Sequence, residues 1–330
     1  MTVPVIDLSD VRRGDAAARA TAARDIDHAL VDIGFFSIVG HGVEPALIAG
    51  LRRMALAFFD QPAALKQACS SPEGSISRGY VGIGAENLGP TLGLDATRRD
   101  LKEQLAFGPL DAGPGVEANV WPATPAGLAD QIRAYCRALE GLADDLLGLF
   151  ATALGMPLTY FRPYQAGHGN VLRLLHYPDQ RDLPPATGET RSGAHTDYGA
   201  LTILLPDETA GGLQVMLRGG AWIDVAAAPG ALVVNIGDLM AMWTNDRWVS
   251  NLHRVVNPPR ERAGRRLSAA YFVNPNPNAT IACIPSCATV HAPPRHPPVL
   301  AGAHRAQKIA LSRAGSAPSR RDPPLERTHP

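Results

Sequence analysis

The chain opens with a short alternating run, VPVIDL, followed by ARATAARDIDHALVDIG, in which Ala, Ile and Leu recur at three- and four-residue spacing up to Gly34. The first pattern predicts a strand, the second an amphipathic helix ended by glycine. FFSIVG then predicts another strand and EPALIAGLRRMALAFFDQP another helix. Residues 71–122 break the periodicity with Gly, Pro and Ser and read as loops carrying short strands, a texture typical of binding loops. From Thr124 to Leu154 the helical period returns and predicts one long helix whose apolar stripe packs on a sheet. Beyond Asn170 come short β-rich runs separated by turn residues: VLRLLHYP, ALTILLP, GGLQVML, AWIDVAA, ALVVNIGDLMAMW, HRVVNPP and LSAAYFVNP. Strands at such spacing predict an all-β sandwich or barrel, for which a double-sheet jelly roll is an economical closure. The final AGSAPSRRDPPLERTHP, almost without large apolar residues, reads as a loose tail. Three parts are expected: an N-terminal helical and loop region packing on the core (1–122), the long helix plus the β core (123–300), and the tail (301–330).

Composition narrows the classes. With 31 basic and 31 acidic residues in 330, the formal net charge is zero, and nothing calls for nucleic acid as a partner. No apolar segment approaches the length of a membrane span, and MTVPVIDLSD lacks the charged and apolar regions of a signal peptide, so a cytoplasmic protein, monomeric by default, is expected. The four cysteines, Cys69, Cys136, Cys283 and Cys287, are too scattered for a disulfide scaffold. Cys283 and Cys287 would seed a zinc site only if two further ligands approached them.

The chemistry concentrates in SGAHTDYGALTIL, where His195 and Asp197 interrupt a β-branched run. In a strand, residues two apart share a face, so these side chains are expected to converge, and such a pair suggests a metal that needs a third ligand. His253, inside WVSNLHRVVNPP, completes a two-His, one-carboxylate set. That set suits iron(II): three ligands on one octahedral face leave positions open for chemistry. Taken singly, a buried His is more often a structural core residue. In RRLSAAYF, Arg266 and Ser268 would share a strand face and present a guanidinium and a hydroxyl to a carboxylate.

These residues carry a family resemblance. HTDYGALTILLPDETAGGLQV, PGALVVNIGDLMAMWTNDRWVSNLHRVVNPP and RRLSAAYFVNPNPNATI, together with the N-terminal VPVIDLSD, DIGFFSIVGHGV and FFDQPAALK, resemble the iron(II)- and 2-oxoglutarate-dependent oxygenases of the isopenicillin N synthase type. The resemblance implies a mainly β fold with flanking helices, a distorted double-stranded β-helix or jelly roll. It implies that His195, Asp197 and His253 hold iron and that Arg266 with Ser268 binds the distal carboxylate of 2-oxoglutarate. Tyr177 matches a tyrosine that helps hold the same cosubstrate in many relatives. Where plant-type relatives carry an Asn for the chelating end this chain has Leu175, and Arg173 is the candidate replacement. The implied reaction consumes dioxygen and 2-oxoglutarate, releases succinate and carbon dioxide, and hydroxylates a small organic molecule, with desaturation or ring closure as variants. Ascorbate is expected to stimulate it. Substrate contacts are expected from residues 74–95, the segment around Phe107 and the C-terminal residues. Two other readings stand beside this one: an oxidase using iron and dioxygen without a 2-oxo acid, and a non-catalytic metal or small-molecule binding jelly roll.

Overall fold

The computed structural model describes residues 2–86, 100–111, 113, 116–182, 184–207 and 211–313. In chain order the first elements are strand β1 (Val5–Asp7), helices α1 (Ser9–Arg12) and α2 (Ala16–Asp32), β2 (Phe35–Val39), α3 (Pro45–Phe59), α4 (Ala63–Gln67), β3 (Gly79–Val81), β4 (Glu103–Phe107), α5 (Leu128–Ala153) and α6 (Arg162–Gln165). They are followed by β5 (Val171–Tyr177), β6 (Ser192–His195), β7 (Leu201–Leu205), β8 (Leu213–Met216), β9 (Trp222–Asp224) and β10 (Leu232–Ile236). The chain continues through α7 (Asp238–Trp243), β11 (His253–Val255), β12 (Arg266–Val273), β13 (Thr280–Ile281), β14 (Val299–Leu300) and α8 (Ala301–Arg313).

Local chemistry sets the helix limits. Asp15 accepts from the backbone N–H groups of Ala17 and Ala18 and so caps α2. Just beyond its far end, Gly34 turns the chain into β2 with φ of 74°, and a Cβ there would stand 2.1 Å from the carbonyl oxygen of Val249. No other residue fits that position. The stripe of α5, with Ile132, Leu139, Leu142 and Leu146, is fully or nearly fully buried; each such side chain contributes about 1.5–3 kcal/mol by burial.

Eight strands form one sheet in the order β1-β2-β10-β7-β12-β5-β4-β3, and four form a second in the order β6-β11-β8-β9. The large sheet sorts its residues by alternation. Leu172 and Leu174 of β5, Leu201, Ile203 and Leu205 of β7, and Leu267, Ala269 and Tyr271 of β12 join the core under α2, α3 and α5. From the same strands Arg173, Leu175, Tyr177, Thr202, Leu204, Arg266, Ser268 and Ala270 face the space between the two sheets. A smaller core, including Phe35, Val215, Val233 and Val255, closes one side of that space. The architecture is the expected jelly roll with flanking helices.

Four expectations change. The boundary at 122/123 does not divide the fold, because β1 to β4 are strands of the large sheet itself. ALVVNIGDLMAMW is a strand only to Ile236; α7 follows, where an Asp-Leu-Met-Ala-Met-Trp run turns its apolar side chains inward. Residues 301–313, expected to begin the tail, form α8, and 314–330 lie outside the described residues. Phe107 is a core residue, fully buried and stacked on Trp121 at 4.9 Å. Among the described residues no helix is long and apolar enough to cross a membrane.

Candidate active site

His195 ends β6, and the antiparallel register of β6 with β11 sets it directly opposite His253. Asp197 lies two residues past His195, the end of β6, in the segment leading into β7. The chain is held there from behind: the N–H of Asp238 donates to the Asp197 carbonyl at 2.8 Å, and Gly237 packs so closely that a Cβ would meet that carbonyl at the same distance. One ligand atom from each of His195, Asp197 and His253 lies within 4.8 Å of the others. Among the described residues this is the one such His, Cys, Asp or Glu group, and the Cys283/Cys287 pair gathers no further ligands.

The polar partners around the three residues fix which atoms remain free. Nδ1 of His195 lies 2.8 Å from the Gly193 carbonyl, and Nδ1 of His253 lies 3.2 Å from the Asn251 carbonyl. A carbonyl only accepts, so each Nδ1 carries the proton and each Nε2 keeps a lone pair for a metal. Asp197 Oδ2 accepts from Thr202 Oγ1 at 2.5 Å and Asn235 Nδ2 at 2.7 Å, while Oδ1 faces His253 Nε2 at 3.7 Å, too far for a hydrogen bond. Burial and the neighbouring His253 push the His195 imidazole down to about 3, so it is neutral across the physiological range. Burial would raise Asp197, but the two imidazoles, with the Thr202 and Asn235 bonds, hold it below its usual range. Donors, protonation and burial therefore fit a divalent cation.

Next to this cluster, β12 and β5 bring together the other expected residues. Arg266 pairs in register with Tyr177, Ser268 with Leu175 and Ala270 with Arg173. Arg266 is 2% exposed, donates from Nη1 to Ser268 Oγ at 3.0 Å and from Nε to the Gly211 carbonyl at 3.2 Å, and lies over the Tyr177 ring at 4.9 Å. No carboxylate among the described residues pairs with it, so a buried cation is left facing the cavity with neutral partners, which suits an anionic ligand.

Arg173, expected at the chelating end, is engaged by a carboxylate. Its Nη1 lies 3.1 Å from Glu86 Oε1; Glu86 Oε2 lies 3.4 Å from Lys102 Nζ, which is also 2.8 Å from Asp100 Oδ2. Burial would raise Glu86, yet Arg173 and Lys102 hold it down at about 2. Burial would lower Lys102, yet Asp100 and Glu86 hold its ammonium above the usual range, and its charge also acts on Tyr177 and His195. The charge of Arg173 acts on Tyr198, as does that of Lys102, and on Arg305. Lys102 Nζ also lies 3.3 Å from Ser192 Oγ, at the start of the strand that ends in His195.

Several site residues escaped the sequence reading. Asn235, a lone amide in the apolar run LVVNI, carried a usable signal; Thr202, in ALTILL, carried a weaker one. Glu86, Asp100 and Lys102 lay in a segment that read as loop, and Arg305 in one that read as tail. Arg191, fully buried beside Arg266, has Nε and Nη1 without partners among the described residues and gives no sign of this in its local sequence. Of the expected substrate contacts, Glu86, Arg305 and Ile309 line the cavity, whereas 87–99 lie outside the described residues.

A jelly roll that places two imidazoles, a carboxylate and a buried arginine in one cavity defines a non-haem iron(II) oxygenase class of site. Two family models match the chain: the N-terminal region of non-haem dioxygenases, named for morphine synthesis, over residues 3–124, and the 2OG-Fe(II) oxygenase superfamily over residues 168–275. The chain is 34% identical over 315 residues to the 2-oxoglutarate-Fe(II) type oxidoreductase hxnY of Emericella nidulans, covering 90% of this chain and 86% of that one. It is 34% identical over 306 residues to gibberellin 20 oxidase 2 of Oryza sativa subsp. indica, covering 90% and 73%. The crystal structure of a full-length Neurospora crassa protein in complex with alpha-KG superposes with a TM-score of 0.82 at 31% identity, covering 93% of this chain and 96% of that one. The chain belongs to the 2OG-Fe(II) oxygenase superfamily. It is an oxidoreductase dependent on iron(II), 2-oxoglutarate and dioxygen that acts on a small molecule.

Proposed function

We propose that His195, Asp197 and His253 hold the iron and that Arg266 with Ser268 takes the distal carboxylate of 2-oxoglutarate, the Tyr177 ring forming the floor beneath the guanidinium. The observation that carries this reading is the pairing of free donors with a waiting cation. Both histidines have Nδ1 tied to backbone and Asp197 keeps Oδ1 free. Arg266 is buried among neutral partners. Bound iron supplies the activation of dioxygen and the oxidative decarboxylation that yields succinate and carbon dioxide. The chain's own residues position the cosubstrate and exclude water.

Arg173, expected at the chelating end, fits that role less well. It stands two register steps beyond Ser268's partner Leu175 and four residues from Tyr177, roughly 13 Å along β5, and Glu86 already engages it. Lys102 is the better-placed cation for the chelating carboxylate, since it lines the same cavity and its Nζ lies 3.3 Å from Ser192 Oγ, on the strand that ends in His195. Hydroxylation is the outcome we assign. The Neurospora crassa protein has also been crystallised with alpha-KG and thymine, and JOX2 with 2OG, Fe and JA, which supports an organic molecule of similar size as substrate here. Every residue named comes from one chain, so a monomer suffices.

The deciding experiment measures succinate released from 2-oxoglutarate with iron(II), ascorbate and dioxygen. Succinate that depends on iron and disappears in His195→Ala supports the reading. Consumption of dioxygen without succinate would replace it with a 2-oxo-acid-independent oxidase.

A further inference from the structure

Among the described residues, the cations lining the cavity are paired with carboxylates except at Arg266 and Arg305. Glu86 and Asp100 are answered by Arg173 and Lys102. Arg266 faces the cosubstrate. Arg305, projecting from α8 into the same cavity, has no carboxylate partner among the described residues, and its one hydrogen bond runs from Nη2 to Ser77 Oγ at 2.8 Å. Burial, together with the like charges of Arg173 and Arg78, pulls its guanidinium down to about 10, so it remains charged at neutral pH among other cations. Such a group, half-buried and crowded by like charge, is stabilised by an anion in contact with it.

Two further unmet groups lie in the same region. Nε of Arg173 and the hydroxyl of Tyr198 are buried without a hydrogen-bond partner among the described residues, and both residues line the cavity. Both are donors. Around them the wall is apolar, with Val171, Phe272 and Ile309.

We propose that the substrate carries a carboxylate, held by Arg305 with donors from Arg173 and Tyr198, its apolar body lying against Val171, Phe272 and Ile309 and a carbon turned toward the histidines. The proposal rests on the functional reading above and adds the substrate class. It gives α8 a role: it closes the cavity and brings the cation that selects what enters.

The test uses the anaerobic enzyme with iron(II) and 2-oxoglutarate and a panel of matched pairs: benzoate, phenylacetate, 3-phenylpropionate, octanoate and decanoate, each against its primary amide. Thermal-unfolding midpoints read binding, and the visible charge-transfer band of the iron complex reads 2-oxoglutarate affinity. At least one acid should raise the midpoint where its amide does not. Arg305→Gln should weaken that acid by roughly 10- to 100-fold, the loss of a charge-assisted contact, while leaving the 2-oxoglutarate titration unchanged. Gln307→Ala, which changes an exposed side chain of the same helix, should keep the acid's affinity. The proposal is overturned if no acid outdoes its amide, if Arg305→Gln binds the acid as the parent does, or if Gln307→Ala loses as much. A parent enzyme that fails to bind 2-oxoglutarate in the titration would instead strike the underlying functional reading.

Discussion

Asp197 shows how much of the proposed iron site depends on side chains outside its three ligands. Thr202 and Asn235 both bind Oδ2, so they decide which oxygen is left free for a metal. Losing such a partner typically costs metal affinity about 10- to 100-fold. We expect Asn235→Ala to weaken iron binding within that range, measured by anaerobic titration, whereas His195→Ala or Asp197→Ala should abolish both stoichiometric iron and turnover. An Asn235→Ala enzyme with parental iron affinity would mean that Thr202 alone orients the carboxylate. At the clamp, Arg266→Leu should raise the 2-oxoglutarate requirement by about 2–5 kcal/mol, since it leaves a desolvated carboxylate unpaired. Ser268→Ala removes one neutral donor and should cost about 1 kcal/mol. The two are in contact, so their effects should not add, and the double variant reads the coupling directly.

At the scale of elements, α8 is tied down at several points. The N–H of Gly302 donates to the Pro277 carbonyl at 2.8 Å, Lys308 meets Asp238, and Arg305 meets Ser77. Asp238 in turn accepts from Ser250 Oγ and Thr196 Oγ1, the latter beside His195, so the helix that covers the cavity is linked to the segment that carries the ligands. A Cβ on Gly302 would stand 2.9 Å from both the Cβ and the carbonyl oxygen of Pro277. Gly302→Val should therefore displace the start of α8. Its expected signature is weaker substrate stimulation of succinate release with 2-oxoglutarate affinity unchanged; equal losses in both would show that α8 also supports the cosubstrate side.

Across the whole molecule, the buried network of Glu86, Arg173, Lys102 and Asp100 joins the region before the undescribed segment to β4 and β5. Removing one member of a buried ionic set leaves its partners uncompensated, so Glu86→Gln should destabilise the fold by about 3–5 kcal/mol in denaturant unfolding. Its pH dependence has a definite sign. Glu86 ordinarily titrates near 4.5 and is held at about 2 in the folded chain, a depressed value. Its stabilising contribution is therefore complete above about pH 4.5 and is lost as the pH falls toward 2. The stability difference between parent and Glu86→Gln should be flat at neutral pH and shrink through that acid window; a difference that persists unchanged at pH 3 would assign the cost to packing.

Sequence by itself determined what is periodic or local. The alternation in VLRLLHY and RRLSAAYF placed Arg173, Tyr177, Arg266 and Ser268 on one face because strand side chains repeat every second residue, and the structure keeps them there. The Leu, Ile and Ala spacing of α5 likewise needed only the helical repeat, and Gly34 ended α2 for a reason local to its backbone. Tertiary structure decided what depends on partners remote in sequence. His195 and Asp197 were paired correctly by sequence, whereas the Asp238 N–H that holds the Asp197 carbonyl comes from a distant element. Arg173 read as the cation for the chelating end because Glu86, far away in sequence, gave no sign of reaching it. Arg305 read as part of a tail because a short helix with weak amphipathicity gains its order by docking against Ser77, Pro277 and Asp238, contacts that no local pattern encodes.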